Sequence, residues 1–183
     1  MGHRFLANPD RTNYDSKGKE YSISHQNSKP NLHCIAFIAL KNPLTLAKIK
    51  NMPTLFIKII NGEIPAHKVA ENEDFLAFLD INPNAKGHTL CIPKKEVNKI
   101  FDLDEKTYLA LMKFSKQVAH ALEKTIACKR VGMAVVGLEV PHVHVHLIPL
   151  NDMKEMTFQH KVEMNQEELG DLAQEIASNV ELS

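Results

Sequence analysis

The sequence predicts an α+β fold: an antiparallel sheet of about five strands, one long helix packed on it, and a second helix near the C-terminus. Three observations carry the prediction, all within residues 52–183. Short strand-like runs alternate with Asn/Pro/Gly turn signals. One long stretch repeats its apolar residues at the helical period behind a D-x-x-E box. A second, shorter stretch does the same behind N-x-x-E.

The 183 residues begin with a segment of different character. Residues 1–51 carry eight basic and three acidic side chains, a balance of +5, while the remaining 132 residues carry fourteen and nineteen, a balance of −5. Residues 1–31 are rich in Asn, Ser, Lys and Asp without apolar periodicity and read as disordered. Residues 32–51 are more apolar but are interrupted by Pro43. The segment reads as a flexible basic tail, as a non-native upstream extension with Met52 as the translation start, or as a partner-binding arm. His3, His25 and His33 match no metal-binding spacing.

From Met52 onward each element has a signal. Pro53 and Thr54 open a short helix over Leu55 to Asn61, with apolar Leu55, Phe56, Ile59 and Ile60, and Gly62 stops it. Three strands follow, about Lys68 to Ala70, Phe75 to Ile81 and His88 to Ile92, forming an antiparallel meander. Asp102 and Glu105 form the box that starts the long helix, about Leu103 to Ala127, whose core stripe is Leu111, Phe114, Val118, Leu122 and Ile126. His120 lies off that stripe, on the surface. Strands over Val131 to Val136 and His142 to Leu150 are joined through Gly137. Asn165 and Glu168 box the last helix, with Leu169, Leu172, Ala173, Ile176 and Val180 on its apolar face.

Composition excludes several classes. A formal charge of zero argues against a chain-wide nucleic-acid footprint. The longest apolar run, Cys34 to Leu40, is far below the roughly 20 residues of a membrane span, so no membrane role is expected. Cys34, Cys91 and Cys128 are odd in number and contain no CxxC, which points to a reducing, cytoplasmic setting.

Chemistry concentrates in Pro141-His142-Val143-His144-Val145-His146-Leu147-Ile148-Pro149. In a strand, His142, His144 and His146 share one face while Val143, Val145 and Leu147 take the other. Three readings of the row compete. It is a polar strand face, a metal site, or a nucleophile with two supporting imidazoles. Against the metal, the first and third backbones stand about 13 Å apart in a strand, too far to share an ion with Zn–N bonds of about 2.0 Å easily. For catalysis, a neutral imidazole attacks phosphorus readily at neutral pH, and its neighbours can orient it and protonate a leaving group.

The segment resembles the His-x-His-x-His-x-x signature of the histidine triad family of nucleotide hydrolases and transferases. Phe56-Ile57-Lys58-Ile59-Ile60-Asn61-Gly62-Glu63-Ile64-Pro65 is similar to that family's first helix and turn, and Phe78 through Lys94 is similar to its second motif. The resemblance spans about Thr54 to Pro149. It implies an apolar purine slot formed by Leu55, Phe56, Ile59, Phe78 and Ile81, with Asp80 accepting hydrogen bonds from the ribose hydroxyls. For Phe56 and Phe78, plain core packing is an equal reading. The resemblance implies His144 as the nucleophile that forms a nucleotidyl-histidine, His142 supporting it, His146 on the phosphate or leaving group, and His88 as a fourth histidine nearby. It implies a small-molecule nucleotide substrate and a homodimer, and no cofactor.

The chain departs from the family pattern at Leu138 and Glu139, where many members place Gln and then Ser or Thr, and in a shortened Val135-Val136-Gly137 loop. Thr54 and Ile57 stand where some relatives place a zinc-binding Cys pair, so no metal is expected there. Without Trp, Phe158 in the loop from Asn151 to Met164 is the candidate cover. The activity implied is hydrolysis of purine nucleoside phosphoramidates or related nucleoside monophosphate derivatives. The alternatives are dinucleoside polyphosphate hydrolysis, or nucleotide binding without catalysis.

Overall fold

The computed structural model describes residues 13–14, 20–21 and 53–182. The chain divides into two units, Met1–Met52 and Pro53–Ser183. In the first, Asn13–Tyr14 (β1) pairs antiparallel with Glu20–Tyr21 (β2), at positions where composition predicts no element. The rest of residues 1–52, with His3, His25, His33 and Cys34, lies outside the described residues.

The second unit is built on a five-stranded antiparallel sheet in the order β3-β4-β5-β7-β6. Lys68–Glu71 (β3), Phe75–Leu79 (β4) and Thr89–Pro93 (β5) form the predicted meander. Arg130–Ala134 (β6) and Val145–Leu150 (β7) pair with each other, and β7 inserts between β6 and β5. Burial explains the order. In β7 the side chains from Val145 to Pro149 are all buried, which needs a neighbour on each side, whereas Arg130 and Met133 of β6 are exposed and suit an edge.

Alternation sorts the residues onto two faces. Phe75, Ala77, Leu79, Cys91, Val145 and Leu147 join the core against Glu105–Thr125 (α2) and Gln166–Ser178 (α3). Leu76, Phe78, Leu90 and Ile92 form a second cluster with Phe56 and Ile59 of Leu55–Ile60 (α1). His146 is opposite Leu90 and Ala134 in the ladder, so it stands on the α1 face of the sheet.

Several boundaries differ from the sequence reading. β7 begins at Val145, not at His142. Its ladder with β5 ends at the Cys91 and Val145 pair, and upstream the Val143 N–H bonds the Val97 carbonyl at 2.7 Å instead. The alternation nonetheless persists there, because Val143 still enters the α2 core. β4 ends at Leu79, so Asp80 and Ile81 lie in the turn. The α2 box also moves. Asp102 closes a single 3-10 turn, and Asp104 is the N-cap, accepting the Thr107 N–H at 2.9 Å and its hydroxyl at 2.8 Å. Asp104 takes the cap because Thr107 offers its carboxylate both a backbone N–H and a hydroxyl. The α3 box of Asn165 and Glu168 forms as predicted.

One glycine is indispensable to the site. Gly87 has φ +84°, and a Cβ there would lie 2.0 Å from Ile126 Cδ1. It closes the turn in which the His88 N–H bonds the Ala85 carbonyl at 3.0 Å, and so aims His88 at the sheet face.

Candidate active site

Each ring in the histidine cluster is oriented by a bond that also decides its tautomer. His142 Nε2 lies 2.8 Å from the Pro93 carbonyl, which can only accept, so Nε2 carries the proton. His142 Nδ1 then accepts from the Thr54 hydroxyl at 3.2 Å, and that same oxygen caps α1 by accepting the Ile57 N–H at 3.3 Å. His144 Nδ1 donates to the His142 carbonyl at 2.6 Å, which leaves the lone pair of the neutral ring on Nε2.

A second chain runs to His146. The Asn84 N–H donates to His88 Nδ1 at 3.1 Å, so the His88 proton is on Nε2. His88 Nε2 donates to His146 Nδ1 at 3.0 Å, which puts the His146 proton on Nε2. The rings of His144 and His146 are 4.9 Å apart and nearly perpendicular. The pair therefore offers a bare nitrogen on His144 and an N–H on His146.

Burial disfavours the charged form of His88, His146 and His142. His88 is pushed down to about 3 and His146 to about 4, in both cases first by desolvation and then by neighbouring positive charge; burial also lowers His142. His88 Nδ1 is 3.6 Å from Asp80 Oδ2, but a neutral ring accepting from Asn84 makes no ion pair there. Burial raises the Asp80 carboxyl, against the hydrogen bond its Oδ1 accepts from the Asn82 N–H at 2.9 Å.

The three lowered histidines predict an acid limb of stability, which the raised Asp80 carboxyl opposes. A histidine held below its ordinary value takes up its proton first in the unfolded chain, so its contribution is full above about pH 6.5 and declines as pH falls towards the folded value. Between about pH 6.5 and 5, above the range of the lowered carboxylates, the melting temperature is expected to drop. His88→Asn is expected to flatten that slope. Equal slopes in the two proteins would show that His88 is protonated in place.

His144 and His146 line a cavity of about 220 Å³ with Asp80, Asn82, Val136, Gly137, Leu138, Glu139, Phe158 and Lys161. A larger groove, about 480 Å³, lies between the end of α2 and α3 and contains no histidine. Of the residues anticipated for a base slot, Phe56, Ile59 and Phe78 are buried together outside the lining of the cavity at His144, and the ring centres of Phe56 and His144 are 5.2 Å apart, edge to face. Leu55 is 48% exposed and Ile81 70% exposed, and neither lines the cavity. Leu138, 87% exposed, leaves the cavity open. The sequence reading missed Thr54 as the partner of His142, and it missed Asn84 and Lys161. An Asn directly after Pro83 in a turn segment was the one signal for Asn84; nothing in the polar run around Lys161 singles it out.

Asp80, His88 and His146 bring ligand atoms within 4.8 Å of one another, the one such group among the described residues. Their lone pairs do not suit a cation. That of His88 Nδ1 faces the Asn84 N–H, and that of His146 Nδ1 faces the His88 N–H. A metal on His88 Nδ1 would displace the Asn84 N–H, and the bonds as they stand make a hydrogen-bonded relay.

Fold and site together define a class: an α+β domain in which a histidine triad, with Asp80 and His88, forms an architecture suited to general nucleotidyl hydrolase or transferase chemistry. The HIT domain matches residues 61–153, and the chain belongs to the HIT family. It is 35% identical over 135 residues to an uncharacterized HIT-like protein of Borreliella burgdorferi, covering 69% of this chain and 97% of that protein. It is 38% identical over 117 residues to an adenosine 5'-monophosphoramidase of Saccharomyces cerevisiae, covering 61% of this chain and 74% of the yeast protein. A Hit-like protein from Bartonella henselae superposes with a TM-score of 0.62 at 30% identity, over 69% of this chain and 96% of that one. A Zn-bound histidine triad protein from Mycobacterium smegmatis superposes with a TM-score of 0.59 at 27% identity, over 68% and 92%. Among the described residues, no helix is long and apolar enough to cross a membrane.

Proposed function

We propose that this chain hydrolyses purine nucleoside phosphoramidates, or related nucleoside monophosphate derivatives, at the α-phosphate. The observation that carries the reading is the 2.6 Å bond from His144 Nδ1 to the His142 carbonyl, which makes Nε2 of a cavity-lining ring the free base. His144 Nε2 attacks phosphorus; His146, which takes up a solvent proton against the negative charge of the bound phosphate, gives its Nε2 proton to the nitrogen as the P–N bond breaks, and the amine departs. Water then attacks the nucleotidyl-histidine and its proton returns to His146, releasing the nucleoside monophosphate and restoring both rings. Asp80, which lines the cavity, accepts from the ribose hydroxyls, and contact of the base with Leu55, Phe56, Ile59, Phe78 and Ile81 requires the cavity to extend beyond its present lining. His142 orients His144, and His88 is a positioning residue that fixes the His146 tautomer. No cofactor enters these steps.

Two yeast relatives named as adenosine 5'-monophosphoramidases support the choice of leaving group. A homodimer belongs to the same reading: β6 is an edge strand, and Met133 on it and Val135 and Val136 after it are exposed. The test is to mix the protein with an adenosine phosphoramidate, quench early, and look by mass spectrometry for an adenylated peptide containing His144. Diadenosine polyphosphate runs in parallel, and faster turnover of it would reassign the leaving group. Tight binding of adenosine monophosphate without turnover of either substrate would leave a binding module.

A further inference from the structure

The segment after β7 crosses back over the histidine cluster and is tied to the turn that follows β4. The Asn84 amide donates to the Glu155 carbonyl at 2.9 Å, and the Val162 N–H donates to the Pro83 carbonyl at 2.8 Å. Between these ties Phe158 takes φ 60°, a left-handed conformation rare for a bulky aromatic, with its ring 4.8 Å from His146 and 6.3 Å from His88. Three residues further on, Lys161 Nζ donates to the Asn82 carbonyl at 2.9 Å and to Asn84 Oδ1 at 2.8 Å. Two of its three N–H groups are thus occupied by described residues, and the ammonium is held at the wall of the cavity that His144 and His146 line.

The charges around that cavity are uneven. Asp80 and Glu139 are carboxylates, and Lys161 is the one lysine or arginine among the lining residues. A substrate bearing negative charge beyond its α-phosphate meets repulsion from both carboxylates unless a cation offsets them. Lys161 belongs to the segment whose Phe158 covers His146, the ring that carries the proton for the leaving group. Lys161 thus brings its charge to the wall of the same cavity as the ring that carries the leaving-group proton.

We infer that Lys161 is a specificity-determining residue that docks an anionic leaving group, so that the preferred substrates are phosphoramidates whose amine bears a carboxylate or a similar negative charge. This rests on the hydrolase reading above. The alternative is that Lys161 only latches the crossing segment to the 82–84 turn. A latch would affect all substrates alike, whereas a docking charge changes their ranking.

Two adenosine phosphoramidates with the same P–N bond separate the cases, one built on a neutral alkyl amine and the other on an amine of equal length ending in a carboxylate. The measurement is the ratio of their kcat/KM values, which cancels any loss of folded protein. Wild type is expected to favour the anionic substrate. Lys161→Met is expected to lower the ratio about tenfold, mainly through KM, while Lys161→Arg keeps it. Raising salt is expected to shrink the wild-type ratio and leave that of Lys161→Met flat. Equal ratios in wild type and Lys161→Met would overturn the inference and leave a latch. Failure of wild type to turn over either substrate would instead overturn the hydrolase reading, and the inference with it.

Discussion

His144→Ala is expected to lower kcat/KM on adenosine phosphoramidates by about four orders of magnitude and to abolish the adenylated peptide. The loss is large because no other described group duplicates the position. His142 has its Nδ1 lone pair on Thr54, and His88 has its own on Asn84. His146 presents a proton where a nucleophile needs a lone pair. The folded state is expected to survive, since the His144 ring contacts Phe56 and His146 at the border of the core and not within the α2 cluster. Steady-state kinetics with a melting curve on the same preparation checks both points. A variant that turns over at the wild-type rate removes His144 from the reaction.

His146→Gln is expected to cost about 100- to 10,000-fold on a substrate with an alkylamine leaving group, which must leave protonated. The loss is expected to shrink below about tenfold on a nitrophenyl ester, whose leaving group departs as a stable anion. Gln is the appropriate replacement because its carbonyl can still accept the His88 Nε2–H, so the relay behind the ring survives. Equal losses on both substrates would mean that His146 holds phosphate and does not deliver a proton. His88→Gln, in which the ring behind the proton donor is lost, is expected to follow the same leaving-group trend with a smaller amplitude.

Much of this arrangement was legible in the chain. Alternation through Val143, Val145 and Leu147 assigned the valines and leucine to the core, and all three are there. The meander, the long helix stripe and the Asn165 box were equally readable, because each follows from local period and capping chemistry. What escaped was non-local. The start of β7 depends on where β5 runs out of partners, and the N-cap of α2 on a competition between two aspartates two residues apart. Asn84 and Lys161 acquire their roles because residues 77 positions apart meet across a turn, and a single sequence carries no periodicity for such a meeting.

The ring states of the cluster are set by the main chain. The Pro93 carbonyl fixes His142, the His142 carbonyl fixes His144, and the Asn84 N–H fixes His88, which in turn fixes His146. Side-chain identity at positions 93 and 84 is therefore not what encodes the protons. At position 93 descendants of this sequence can exchange the side chain and keep the same protons, provided the backbone trace is inherited intact, whereas the Asn84 amide is needed for its separate bonds to Glu155 and Lys161. Substitutions that reroute the trace silence the cluster without touching a histidine.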